Sequence, residues 1–454
     1  MTLDKLAASQ RALDGATAAG ARPRAGAATR SPATQAGLVR LYPALENPSF
    51  RLLWLSMLPA TLAVMMNQVA SPYAAFVLSE SAAVLGVVSL AQGLPMLGLS
   101  LIGGVAADRL PRRLLLIGTQ LAQGSAAGVL AALGLSDQLQ VWHVVAATFV
   151  QGAAFAFNMP ARQAYIAELV TRQQLPNAAA LNNAGQNFCR VAGPALAGVL
   201  LGIPAVGIGG GFLAMAAMYA AALLGLARLP LRRPAMGCSS ARGAGRLAYL
   251  AEGLRYARST PAILALIGMN LIVVVFGMPY QTLMPVVAER VFGVGASGLG
   301  LLLAASGVGA LAGAVVVASL PRLPHPGTIQ AGLAVGLGGA LVAFSTTRSV
   351  GLALVLLLAV GFLFSAFSAL NNTLLMAITE ARLTGRVMSI YLLTWGAMPV
   401  GSLPLAWLAD RASAPTSLAV GGVLVVGLAG ALALGYPAGR RIGWAPHGSE
   451  GDGA

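Results

Sequence analysis

The chain has 454 residues, 57% of them hydrophobic and 9% charged; soluble domains carry roughly 25% charge, so this chain cannot cover a water-facing surface and reads as an integral membrane protein. Its net charge of +15 would suggest nucleic acid in a soluble protein. Here it reports topology, because basic residues collect on the cytoplasmic side of a membrane, and no nucleic-acid partner is expected.

Residues 1–48 are rich in Ala, Arg, Gly and Thr and have no apolar core. That excludes a cleavable signal peptide at the start and predicts a disordered cytoplasmic tail. Apolar spans of about 20 residues cross a bilayer as helices. Twelve follow, at 51–73, 83–107, 113–135, 141–160, 178–201 and 207–229, then at 262–285, 297–320, 327–347, 350–373, 386–409 and 417–437. The expected fold is an all-α membrane protein of twelve transmembrane helices in two six-helix bundles. The first bundle covers 49–229 and the second 261–438. A cytoplasmic linker occupies 230–260, and a cytoplasmic tail occupies 439–454. With both termini inside, 24 of the 28 Lys and Arg residues fall on the cytoplasmic side. Arg290, Arg348 and Arg411 fall outside, and Arg190 falls within a span. The opposite orientation would place nearly all the positive charge outside. Within the linker, Leu247, Leu250, Ala251 and Leu254 form an apolar stripe flanked by Arg246, Arg255 and Arg258. This is an amphipathic helix, either resting on the membrane or solvated.

The turn after the second span reads Gly104-x-x-x-Asp108-Arg109-x-x-Arg112-Arg113. Gly104 permits close approach of neighbouring helices. Asp108 can accept hydrogen bonds from a helix N-terminus or pair with Arg112. The arginines alone could serve only to retain the loop inside; an acid does not help retention, so that reading explains Asp108 poorly. Arg109-Leu110-Pro111 recurs as Arg322-Leu323-Pro324 after the eighth span, without the acid. Glu168 and Arg172 after the fourth span match Glu380 and Arg382 after the tenth. The two halves therefore look like internal repeats, the usual way to build a midplane cavity between two bundles.

In the fifth span, Pro194 opens the hydrogen-bond ladder and bends the helix, and Gly193 and Gly198 let the bend pack tightly. Arg190 is the one charge read as lying well inside a span. It either anchors an anionic or hydrogen-bond-accepting substrate or holds backbone carbonyls at the bend. Amides recur at span positions: Asn67 and Gln68 in the first, Asn158 in the fourth, and Asn182, Asn183, Gln186 and Asn187 in the fifth. Asn270 and Gln281 lie in the seventh, and Asn371 and Asn372 in the tenth. Interhelical bonding accounts for many of them. The substrate-cavity candidates are Asn67, Gln68, Asn158, Asn183, Gln186, Arg190, Asn270, Asn371, Asn372 and Trp395. Gln186 and Arg190, one turn apart, share a stripe. Trp395 with Tyr391 forms an aromatic wall or part of the core. No acid lies near the middle of a span, which leaves the coupling ion open. Cys189 and Cys238 have neither disulfide nor metal spacing. No nucleotide-binding or nucleophile motif is present, and no catalytic residue, cofactor or metal is expected.

The Gly104–Arg113 pattern resembles the signature loop of major facilitator transporters, with Pro111 where that family usually has Gly. Asn187 to Gly198 partly resembles the Gly-Pro signature of exporters in that superfamily; Cys189 stands where a further glycine is usual. Asn47-Pro48-x-Phe50-Arg51, Arg190-x-x-Gly193-Pro194, Glu252-Gly253-x-Arg255-Tyr256, Asn371-Asn372-Thr373 and Gly385-Arg386-Val387-Met388-Ser389 resemble one branch. That branch includes enterobactin-type siderophore exporters and macrolide efflux pumps. The resemblance covers residues 46 to 440. It implies a monomeric inner-membrane exporter of a small organic molecule, a siderophore or drug-like compound, working by alternating access and proton antiport. In that family the signature loop, here Gly104, Asp108, Arg109, Arg112 and Arg113, latches the two halves on the cytoplasmic side. An uptake permease and a non-transporting membrane sensor or scaffold are the alternatives.

Overall fold

The computed structural model describes residues 43–230, 254–320, 324–380 and 383–435. Among them are twelve long helical segments and no strand. In chain order they are α1 (Pro48–Ser79), α2 (Ala82–Arg109), α3 (Arg112–Leu135), α4 (Val141–Leu169), α5 (Leu175–Gly202) and α6 (Gly207–Leu226). Then come α7 (Pro261–Val291), α8 (Gly295–Ser319), α9 (Pro326–Thr346), α10 (Val350–Ile378), α11 (Thr384–Arg411) and α12 (Ala414–Gly435). Eleven of the twelve are apolar and long enough to span a bilayer on composition alone. The exception is α5, whose 28 residues suffice in length but whose amides and Arg190 lower its hydropathy.

The ends correct several expected spans. The fourth span runs to Leu169, not to residue 160. Pro160 looked like a stop, because proline removes the N–H that should bond the carbonyl four residues earlier. Here that carbonyl, of Ala156, lies against Gly103 of α2, where a glycine Cα comes close enough to cover it. The helix therefore continues, with Ala161, Tyr165, Ile166 and Leu169 buried at helical spacing. The same pairing recurs twice. Pro194 frees the carbonyl of Arg190, which faces Gly307 of α8, and next to the proline-containing turn of α7 the carbonyl of Val275 faces Gly401 of α11. In a bilayer no water can satisfy such groups, so a neighbouring helix must. The fifth helix is continuous through Pro194. The seventh relaxes into wider π turns at Val273–Gly277 and Val287–Val291. The eleventh breaks between Trp395 and Met398.

Asn47 caps α1 by accepting from the N–H groups of Ser49 and Phe50 at 3.0 and 3.3 Å, while its own amide donates to Leu169 O at the end of α4. Pro48 occupies the first helical position, where its missing N–H costs nothing. Within the first six helices α2 packs on α4, α3 on α6 and α4, and α1 on α5 and α6. Within the last six, α8 packs on α10, α9 on α10 and α12, and α11 on α12. The bundles meet along two seams, α2 with α11 and α5 with α8. Arg322 and Leu323 of the repeated tripeptide, Arg382 and most of the amphipathic linker helix lie outside the described residues; the described end of that helix, 254–259, is helical with Ala257 buried.

The membrane-crossing ends define two faces. The terminal face carries the start of α1 and the end of α12; the far face carries the α1–α2 and α7–α8 turns. Both seams are tight from the far face to mid-depth. In the first, Gly86 meets Leu403 and Ala406, Gly93 meets Pro399, and Leu97 meets Gly396. In the second, Gly202 meets Ser297, Gly198 meets Gly300, and Val191 meets Gly307. A Cβ at Gly198 would stand 2.5 Å from the Gly300 Cα, so neither position accepts a side chain without parting the helices. Toward the terminal face the same helices turn to their own bundles: Gly103 to α4, Gly185 to Trp54 and Leu58 of α1, and Gly309 and Gly313 to α10.

Candidate functional site

At the far face, side chains of one bundle hold the other. The Ser81 hydroxyl donates to Asp410 Oδ2 at 2.5 Å, and the N–H groups of Ala82 and Ala83 donate to the same carboxylate at 2.6 and 2.8 Å. Asp410 therefore caps α2 from the opposite bundle, and Ser81, at the capping position itself, makes no side-chain cap. A carboxylate there satisfies orphan N–H groups and meets the positive end of the helix dipole. Arg290 donates to Glu80 O, lies 5.1 Å from the centre of the Phe76 ring and sits 3.8 Å from Asp410. Tyr73 OH donates to Glu289 at 2.9 Å. Nothing in the sequence signals that Glu80, Glu289 and Asp410 join the bundles.

Below this clamp the α5 face that meets α8 runs through Gly202, Gly198, Pro194 and Val191. Continued toward the terminal face at helical spacing, it carries Asn187 and Asn183, with Gln186 and Arg190 beside it. Asn183 and Arg190 are exposed, and Gln186 and Asn187 half-buried. Gly307 packs on the Arg190 backbone, and the ionisable side chain that Arg190 interacts with is Tyr280 of α7. Both lie in the opposite bundle, so Arg190 faces the inter-bundle space. No hydrogen bond or ion pair to its guanidinium is found among the described residues. Tyr280 OH is 2.8 Å from Ser306 Oγ, and Gln281 donates to it at 3.3 Å.

Arg190 is not the one charge within the helices, as the sequence suggested. Arg162 of α4, assigned to a loop when the span was ended at 160, is partly buried. It donates to Thr61 Oγ1 of α1 at 3.1 Å and to Asn182 Oδ1 of α5. Its Nε is buried without a partner among the described residues. A lone cation at such depth costs on the order of 3 kcal/mol. The helical spacing of Ala161, Tyr165, Ile166 and Leu169 was the signal that could have placed it.

Several cavity candidates are engaged inside a bundle. Asn67 is buried, exchanging hydrogen bonds with Gln151 of α4 and accepting from Ser71 at 2.8 Å. Asn158 donates to Thr119 at 2.9 Å and Asn270 to Thr394 at 2.6 Å. Asn371 is buried and accepts from Gln330, with its Nδ2 unpartnered; Asn372 Oδ1 is likewise buried without a partner among the described residues. Trp395 stacks edge-on against Phe364, with centroids 5.9 Å apart. Of the N-bundle set, Gln68 is exposed together with Asn183 and Arg190. Asn67→Leu should strand Gln151 and cost about 1 kcal/mol. A lowered melting temperature in detergent with unchanged KM would separate this packing role from substrate binding.

At the terminal face, Arg112 Nη1 pairs with Glu168 Oε2 at 2.7 Å, tying α3 to α4. Arg113 donates to Ala227 O at 2.7 Å, and Arg109 is exposed. The side chain of Asp108 lies outside the described ones. Gly104 does not mediate a close approach in this conformation: nothing lies within 4 Å of where its Cβ would be, and the tight glycine is its neighbour Gly103. Gly104 is five helical turns from Gly86, on the stripe that packs α11 near the far face.

The sequence profile of transmembrane secretion effectors matches residues 40–439. The chain is 27% identical over 414 residues to the multidrug efflux pump Tap of Mycobacterium tuberculosis (strain ATCC 25618 / H37Rv), covering 88% of this chain and 96% of that protein. It is 24% identical over 220 residues to macrolide efflux protein A of Streptococcus pyogenes, covering 48% of this chain and 54% of that one. Among solved structures, a bacterial homologue of the human lysosomal transporter Spinster superposes with a TM-score of 0.69 at 16% identity, covering 88% of this chain and 99% of that one. A transporter of the POT family superposes with a TM-score of 0.70 at 11% identity, covering 87% and 97%.

Proposed function

Because the chain belongs to the transmembrane secretion effector family of major facilitator transporters, we propose that it exports a small organic molecule, drug-like or siderophore, across the bacterial inner membrane. The terminal face is cytoplasmic in this reading. Even with Arg162 moved into a helix, 23 of the 28 basic residues lie on that side, by the positive-inside rule. The observation that carries the proposal is the asymmetry of the two seams. They are closed at the far face by glycine contacts and the Asp410 clamp, while the polar stripe of α5 is exposed toward the terminal face. Such a form receives cargo from the cytoplasm and releases it outside once the far face opens, which is alternating access. The efflux function of the two sequence relatives supports the outward direction.

The drive is proton antiport by a monomer. The sequence has no nucleotide motif, and the carboxylates that join the bundles, Glu289 and Asp410, stand at the far face, where external protons arrive. Asp108 and Gly104 act as the opposite latch, meeting the second bundle when the cytoplasmic side closes.

Accumulation of antibiotics and siderophores in cells with and without the protein tests this. Lower accumulation with the protein, abolished by an uncoupler and by Asp108→Asn with membrane insertion intact, is the expected result. Higher accumulation would make the protein an uptake permease, and uncoupler-insensitive efflux would remove antiport.

A further inference from the structure

The exporter reading leaves the chemistry of the cargo open, and the charges between the bundles bear on it. Two arginines stand within the helices. Arg190 is exposed on the α5 stripe that meets α8, and nothing among the described residues hydrogen-bonds or pairs with it. Arg162 has only a hydroxyl and an amide oxygen as partners, and its Nε is unmatched. The ion pairs found among the described residues, Arg112 with Glu168 and Arg290 with Asp410, lie at the two membrane faces. The far-face carboxylate of Glu289 is engaged by Tyr73. Among the described side chains, the inner part of the protein thus carries positive charge with no acid to match it.

Arg162 bonds Asn182, and Arg190 lies two turns further along the same helix as Asn182, about 12 Å deeper. A molecule entering from the terminal face along the exposed stripe of α5 would pass Asn183 and Gln186 on the way to Arg190. A protein whose cargo were cationic would place carboxylates there and would gain nothing from two unmatched guanidiniums. Guanidinium instead offers a planar fork of donors that fits an oxyanion in two-pronged fashion.

Resting on the exporter reading, the geometry points to a cargo that bears an oxyanion, such as a carboxylate or an ionised catechol. Arg190 is its anchor, and Arg162, hydrogen-bonded inside the first bundle, adds positive charge behind it. The amides beside Arg190 suit a cargo rich in hydrogen-bonding groups as well as charge.

Two xanthene dyes of similar size and opposite charge separate the possibilities: fluorescein, an anion, and rhodamine 123, a cation. Binding of each to the purified full-length protein in nanodiscs is read by fluorescence anisotropy. Fluorescein should bind at least about tenfold more tightly than rhodamine 123, the size of one charge-assisted hydrogen bond. Arg190→Gln should erase that preference, and Arg190→Lys should keep part of it. Arg190 is exposed, so neither change opens a cavity, and an unchanged melting temperature confirms the fold. Arg162→Gln should weaken fluorescein binding less than Arg190→Gln. Equal binding of the two dyes, binding of neither, tighter binding of rhodamine 123, or a preference that survives Arg190→Gln would each overturn the proposal. The cell accumulation assay reads export separately: efflux without anion binding would leave the exporter standing, and anion binding without efflux would leave only the site.

Discussion

A disulfide engineered between α5 and α8 by combining Gly202→Cys with Ser297→Cys should lock the far face shut and abolish transport, and a reductant should restore it. A Cβ at Gly202 would stand 3.2 Å from the Ser297 Cβ, and a small shift reaches the ~3.8 Å that a disulfide prefers. The bond would sit at the end of the seam that must part for release outside. Cys189, the native cysteine among the described residues, is buried and should not compete. The check is efflux from cells under oxidising and reducing conditions, with each single variant as control. Cross-linked protein that still transports would mean that this seam does not open, and alternating access by these bundles would fall.

Asp410→Asn should act in the opposite sense and favour the form open at the far face. The carboxylate satisfies three donors at the start of α2 and lies 3.8 Å from Arg290. The amide keeps one acceptor oxygen but loses the charge that the helix dipole and Arg290 favour. The loss is about 1–2 kcal/mol, or roughly a tenfold shift in population. Labelling of a cysteine introduced by Leu97→Cys, which is smaller than the leucine that packs on Gly396 at mid-depth in the α2–α11 seam, should then speed up by about the same factor. Unchanged labelling would make Asp410 a helix cap with no part in gating. Asp410→Ala should give a larger shift, since it removes the acceptor altogether.

The fold was legible because its causes are local. A run of about 20 apolar residues has one stable form in lipid, and basic residues at the ends state which way it points. Each of the twelve helices was visible in this way, α5 included despite its amides, since Pro194 and the flanking glycines still read as helix-packing features. Where the reading failed, a neighbour decided. Pro160 should end a helix taken alone, yet Gly103 of another helix covers the carbonyl it frees, so Arg162 becomes an intramembrane charge instead of a loop residue.

The site was less legible for the same reason. Asn67 and Arg190 are both polar residues in apolar spans, and nothing in their own sequence context tells them apart. Asn67 meets Gln151, 84 residues away, and is spent on packing. Arg190 meets no such partner among the described residues. Asp410, an acid near a helix end, becomes a clamp only because it falls 2.6 Å from an N–H of Ala82, 328 residues earlier. The sequence by itself determined the twelve helices, the orientation to expect from its basic residues, and that one turn carries a family signature. The tertiary structure alone decided which polar groups are satisfied and which are free, since in a low-dielectric bilayer that depends on what the neighbouring helix offers at a distance of one hydrogen bond.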